Sequence, residues 1–195
     1  MSGTTKLEAV NTMLSTIGES PVNSLTSGLV DAEMAETILN SVSREVQSSG
    51  WNFNREYNFT ITPTAQGEIV LPNAVLRADA TLTPDSMDLV QRGTKMYDKA
   101  KHTYLINEAV KCDVIVELPF DELPEVAKRF IIVRAARIFQ DRVVGSDTLH
   151  GFNERDEAQA LYELKEFETE TEDFSIFESY DVYRVIDRIG TKRVT

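Results

Sequence analysis

Leu7, Val10, Leu14 and Ile17 recur at spacings of three and four, the period of one face of a helix. Thr5 with Glu8 three residues later fits a capping box at its start, and Gly18 followed by Pro21 fits its end. A polar linker, Asn23 to Gly28, precedes a second stripe of Ala35, Ile38, Leu39, Val42 and Val46, with Asp31 as the expected N-cap and Gly50 as the stop. Two helices joined this closely can pack antiparallel and cover each other's stripes.

The period changes after Trp51. Tyr57, Phe59 and Ile61 alternate with Asn58, Thr60 and Thr62, which predicts a half-buried strand ended by Pro63. Shorter strands are expected at Glu68–Leu71, Asp88–Gln91, Lys95–Asp98 and Thr103–Ile106, with Arg92-Gly93-Thr94 as a tight hairpin. Val110, Cys112, Val114, Val116 and Leu118 alternate again as a last strand. Helical spacing then returns. Asp121, Glu122, Pro124 and Glu125 suit a helix start, the nearly continuous apolar run from Phe130 to Phe139 predicts a buried helix, and Gly145 ends it. A fourth helix over Asn153 to Glu172 carries Ala160, Leu161, Leu164 and Phe167 on one side. The pattern predicts an α+β protein: an antiparallel four-helix bundle (1–54 and 119–173), an inserted small antiparallel β-sheet (55–118) and an extended C-terminal tail (174–195). Trp51 and Phe53 sit where the two periods meet; a seal between helices and sheet fits them better than a carbohydrate platform.

Composition narrows the function. The 195 residues include one cysteine, Cys112, so the chain holds no disulfide of its own and no cysteine-based zinc site. No run of 18 apolar residues marks a membrane span, and residues 1–5 do not read as a signal peptide. The net charge of −12 disfavours ordinary binding to phosphates. Charge is also uneven. Ten acids between Val144 and Asp173 face only Arg155 and Lys165, whereas Arg184, Arg188, Lys192 and Arg193 make the last dozen residues basic. The acidic block reads as a solvated helix face, as a surface that repels DNA, or as an interface with a basic neighbour. Residues 174–189 are rich in aromatic and branched side chains with no later element to cover them, so they fold back or dock on another subunit.

Catalytic signatures are absent. No nucleophile elbow, phosphate loop, dinucleotide fingerprint or His-Glu-x-x-His occurs, and neither His102 nor His150 has a nucleophile in its context. Glycoside hydrolysis needs only two suitably spaced carboxylates, and Asp85/Asp88 and Asp121/Glu125 are the candidates. At Asp121 and Glu125 the helix dipole accounts for the acids without catalysis. No cofactor or metal is expected.

Several blocks together resemble a known family. Val10-Asn11-Thr12-Met13-Leu14, Ile17-Gly18-Glu19-Ser20-Pro21-Val22, Arg44-Glu45-Val46-Gln47 and Gly50-Trp51-Asn52-Phe53-Asn54 are similar to the tail tubular protein A family of short-tailed bacteriophages. Leu123-Pro124-Glu125 with Arg134-Ala135-Ala136-Arg137-Ile138-Phe139-Gln140 resembles its third helix, and 177–186 its C-terminal tail. The resemblance implies a non-enzymatic virion protein assembled in the host cytoplasm. It implies a dodecameric adaptor ring between the portal and a nozzle of tail tubular protein B, near the tail fibres, with DNA passing through its channel. On that reading Glu163, Glu166 and Glu170 are expected to face the channel. Phe174, Phe177, Tyr180, Tyr183, Arg184 and Arg188 are expected to anchor a partner.

Overall fold

The computed structural model describes residues 3–82, 87–145 and 147–171, with the side chains of 82 and 147–153 left aside. Four helices, α1 (Lys6–Thr16), α2 (Val30–Ser48), α3 (Glu125–Val143) and α4 (Asp147–Thr171), enclose five strands in chain order: β1 (Arg55–Ile61), β2 (Val75–Leu82), β3 (Leu89–Arg92), β4 (Lys95–Asp98) and β5 (Val110–Val116). The fold is α+β.

Each helix end has a local cause. The Thr5 hydroxyl accepts the Glu8 N–H while the Glu8 carboxylate accepts the Thr5 N–H, a complete capping box for α1. The α2 start departs from expectation: Leu29 is the cap residue and makes no side-chain bond, while Asp31 lies in the first turn, where its charge still favours the helix dipole. α3 is the hub. It packs against α1, α2 and α4, and Ala127, Ile131, Ala135 and Phe139 are wholly buried in one cluster with Val10, Met13, Leu39 and Leu164. Along α3 the ion-pair partners on α4 run backwards, Arg129 to Glu163 and Arg134 and Arg137 to Glu157, so these two helices are antiparallel.

The strands form two sheets instead of one. A three-stranded antiparallel sheet has the order β1-β5-β2, and β3 pairs with β4 across a two-residue turn at Gly93-Thr94. Glu68–Leu71 and Thr103–Ile106, expected as strands, make only isolated bridges. The missing third strand is β2, whose Ala78, Asp79 and Ala80 lack the branched residues that flag a strand; pairing with β5 overrides that weak propensity. β1 also differs. A register shift between Glu56 and Phe59, with Asn58 at φ 55°, breaks the alternation and leaves Tyr57 59% and Phe59 38% exposed. The sheets share their own core of Ile69, Leu71, Met96, Val110, Cys112 and Val114.

Helices and sheet meet at a polar joint. The fully buried Gln47 side chain donates to the Leu118 carbonyl at 3.1 Å and accepts the Leu118 N–H at 2.7 Å, so it pairs with backbone as a neighbouring strand would. The Asn54 amide donates to both the Gln47 and Val116 carbonyls, and its oxygen accepts the Trp51 N–H. The Trp51 indole donates to the Val46 carbonyl, and Trp51 and Phe53 pack half-buried on the helical core, the helical side of the expected seal. Gly50 sits there at φ +78°, and a Cβ would collide with Ile115.

The N-terminus is strapped to α3. Glu125 accepts the Thr4 hydroxyl and N–H at 2.7 and 2.9 Å and pairs with Lys128, whose side chain is only 4% exposed; Asp121 accepts the Lys6 N–H. The Thr4 hydroxyl, and then the Lys128 ammonium, hold the Glu125 carboxyl below its ordinary range.

Two outcomes follow from these contacts. Gln47→Leu should cost about 2–4 kcal/mol, because it strands the buried N–H and C=O of Leu118; a loss under about 1 kcal/mol in urea unfolding would show that the joint is not needed. Because the Glu125 pKa is lowered on folding, its contribution is present above the ordinary glutamate pKa of about 4.3 and fades as pH falls through the folded value. The stability gap between the natural protein and Glu125→Gln should therefore narrow as pH falls from 6 to 3, and a gap that widens contradicts the strap.

Candidate interaction groove

The amino-terminal half of α3 and the carboxy-terminal half of α4 border a groove of about 710 Å³, which Thr4 and Thr12 also line. Val126, Ile132, Val133 and Phe167 supply apolar walls; Glu125, Arg129, Glu163, Glu166 and Glu170 supply the charge. Helical spacing explains the convergence. Glu163, Glu166, Phe167 and Glu170 stand three or four residues apart and share one face of α4, as Val126, Arg129 and Val133 share one of α3.

The three acids expected from sequence are thus brought together, but they are not equivalent. Glu163 is half-buried, paired with Arg129 at 3.3 Å and accepting the Gln159 amide at 3.1 Å. Glu166 and Glu170 are exposed and form no ion pair among the described residues. An apolar floor under two uncompensated carboxylates suits a ligand that is both apolar and basic.

Sequence reasoning missed how α4 is held at its far end. The Asn52 N–H donates to the Glu168 carboxylate at 2.7 Å, and the Asn52 amide donates to the Thr171 carbonyl at 3.1 Å. The Gly-Trp-Asn-Phe-Asn stretch therefore holds the last described turn of α4, next to Glu170 of the groove. Its signal was the asparagines flanking an aromatic, residues whose short amides bond backbone readily.

Among the described residues the candidate catalytic carboxylates Asp88, Asp121 and Glu125 are otherwise engaged. Asp121 and Glu125 serve the N-terminal strap, and a Glu125 held below the ordinary range is the reverse of a general acid, whose pKa must rise. Asp88 is paired with Lys99 at 2.9 Å, and Asp85 lies outside the described residues. His102 is on an exposed turn at φ 54°, and the side chain of His150 is not among those described. Cys112 is buried, and that burial pushes its thiol pKa up, away from reactivity. Among the described residues no group of His, Cys, Asp and Glu is placed to hold a metal ion, and no helix is long and apolar enough to cross a membrane. The expected anchors Phe174, Phe177, Tyr180, Tyr183, Arg184 and Arg188 lie outside the described residues.

Comparison with known proteins places this architecture. The family model described as tail tubular protein matches residues 7–174. Tail tubular protein A of Klebsiella phage KP34 is 32% identical over 130 residues, which cover 65% of this chain and 66% of that protein, just under two thirds of its length. The family match takes in all four helices, the joint and both sheets. The chain belongs to the tail tubular protein family and is a structural component of the bacteriophage tail.

Proposed function

We propose that this protein is the adaptor ring of a short-tailed phage: twelve copies seated between the portal and a nozzle of tail tubular protein B, enclosing the DNA path and helping to support the tail fibres. Family membership over residues 7–174 is the observation that carries the reading. In it, residues 1–54 and 119–173 act as an antiparallel four-helix bundle that forms the ring wall. Residues 55–118 act as an inserted β domain, and 174–195 as an assembly tail. Copies assemble in the host cytoplasm before joining the virion.

Physical chemistry supports the reading. A channel that releases DNA must not grip it, since every unpaired Lys or Arg adds a counterion-releasing contact with phosphate. The described part of α4 from Glu154 to Thr171 carries Glu154, Asp156, Glu157, Glu163, Glu166, Glu168 and Glu170 against Arg155 and Lys165. We place the groove side of α4, with Glu163, Glu166 and Glu170, toward the channel. There these acids keep the wall from presenting net positive charge. The protein is assigned no catalytic step. Of the carboxylates that a glycan-cleaving alternative would use, Asp88, Asp121 and Glu125 are engaged by Lys99, by Lys6 and by Thr4 with Lys128.

The test mixes the full chain with the cognate portal and images the product. Twelvefold rings stacked on the portal, with the acid-bearing face of α4 inward, are expected; a protein that stays monomeric beside the portal, or a ring with those acids only outside, contradicts the proposal. On this reading residues 174–195 serve assembly and not the fold, so a chain truncated after Asp173 should keep its melting transition while failing to form rings. Normal ring formation by that truncation would remove the tail from assembly.

A further inference from the structure

We propose that the α3–α4 groove is the socket for the C-terminal segment of a neighbouring copy, with the arginines of that segment meeting Glu166 and Glu170. This inference rests on the ring reading and names the surface through which the ring closes.

The groove and the segment are chemically complementary. The floor offers Val126, Ile132, Val133 and Phe167, and its lip offers two carboxylates with no ion-pair partner among the described residues. Residues 174–189 bring Phe174, Phe177, Tyr180 and Tyr183, which suit such a floor, and residues 182–195 bring four cations against Asp187 alone. Aromatic anchors with adjacent arginines are the residue types that dominate interface energies, because they bury large area and keep a directional charge.

Chain order favours a neighbour over the chain's own tail. α4 is described as far as Thr171, whose carbonyl accepts the Asn52 amide, with the groove beside it. The residues that come next include Glu172, Asp173, Glu178 and Asp181. Glu172 and Asp173 follow Thr171 directly, so a chain that doubled straight back would lay them against Glu166 and Glu170, and like charges at contact oppose docking. Glu178 and Asp181 weigh equally in either groove. The cations begin at Arg184, thirteen residues beyond Thr171. Thirteen extended residues reach up to about 45 Å, whereas a domain of this length has a radius of gyration of about 16 Å. The basic end can therefore cross to the adjoining copy and enter its groove cation first. Docking there also serves the channel, since each arginine held by a glutamate is unavailable to phosphate.

The test is a disulfide trap in the full chain carrying Glu166→Cys and Arg184→Cys. Cys112 is wholly buried, so the two introduced thiols are the accessible ones. The double variant is assembled on the cognate portal, oxidised, imaged, and run on a denaturing gel without reductant. A ladder of covalent multimers that collapses on reduction is expected. A fast-migrating monomer with an internal disulfide would mean the tail fills its own groove and overturns the proposal. Imaged rings without any cross-link would overturn the socket while leaving the ring reading intact, and no rings with either the variant or the natural chain would remove both.

A charge swap guards against a cysteine variant that misfolds. Glu166→Lys/Glu170→Lys and Arg184→Glu/Arg188→Glu should each lower ring yield at least about tenfold, and combining them in one chain should restore it to within about threefold. Reversals that leave ring yield unchanged, or that combine with no recovery, count against the socket.

Discussion

Everything in this fold depends on how a helical core and a sheet core are joined without leaving buried backbone unpaired. Strand β5 stops at Val116, so the Leu118 N–H and C=O need partners where no strand remains to offer them. Gln47 provides both from α2, and Asn54 closes the Val116 carbonyl and the end of α2 together. An unmet buried donor or acceptor costs on the order of 1–3 kcal/mol, comparable to a large part of a domain's net stability. Those few amides therefore decide that the two cores have one fixed connection. Asn52 extends the same joint to Glu168 and Thr171 of α4.

Charge is distributed in two regimes. Between α3 and its neighbours it is spent within the chain: Arg134 bridges Glu45 and Glu157, and Arg137 holds Glu157 and Asp141. These pairs are half-buried, so they set helix register more than they add stability. Toward the C-terminal end of α4 the acids outnumber the available cations, and the excess gathers at the groove. Arg184, Arg188, Lys192 and Arg193 of the same chain carry the opposite charge. On the proposed reading the groove and the tail are the two halves of one contact, a heterologous arrangement that closes into a ring when the rotation between copies allows.

The helices were legible because their apolar residues keep a 3.6-residue period and because Thr5 with Glu8 and the glycines at 18, 50 and 145 mark their ends chemically. The sheet was less so. Val110 to Val116 alternates plainly and is the central strand, yet β2, built on Ala78 and Ala80, takes its conformation from β5 and not from its own side chains. At β1 the alternation was read correctly but its meaning was not, since a bulge at Asn58 turns Tyr57 and Phe59 outward. Helical spacing alone put Glu163, Glu166 and Glu170 on one face; that this face borders a partly apolar groove depends on how α3 and α4 pack, which no local pattern encodes. The Trp51 seal was visible as a change of period, whereas the reach of Asn52 to Thr171 links residues 119 apart and could only come from the fold.

The central claim is that a rigid joint presents a groove and a tail that are completed only by assembly. Amide hydrogen exchange on the full chain, compared before and after ring formation on the portal, tests it most directly. The account predicts unchanged strong protection at Gln47, Asn54 and Leu118 in both states, with protection gained across 126–133, 163–170 and 174–189 on assembly. Loss of protection at the joint, or assembled rings in which the groove and residues 174–189 exchange as fast as in the free protein, would contradict it.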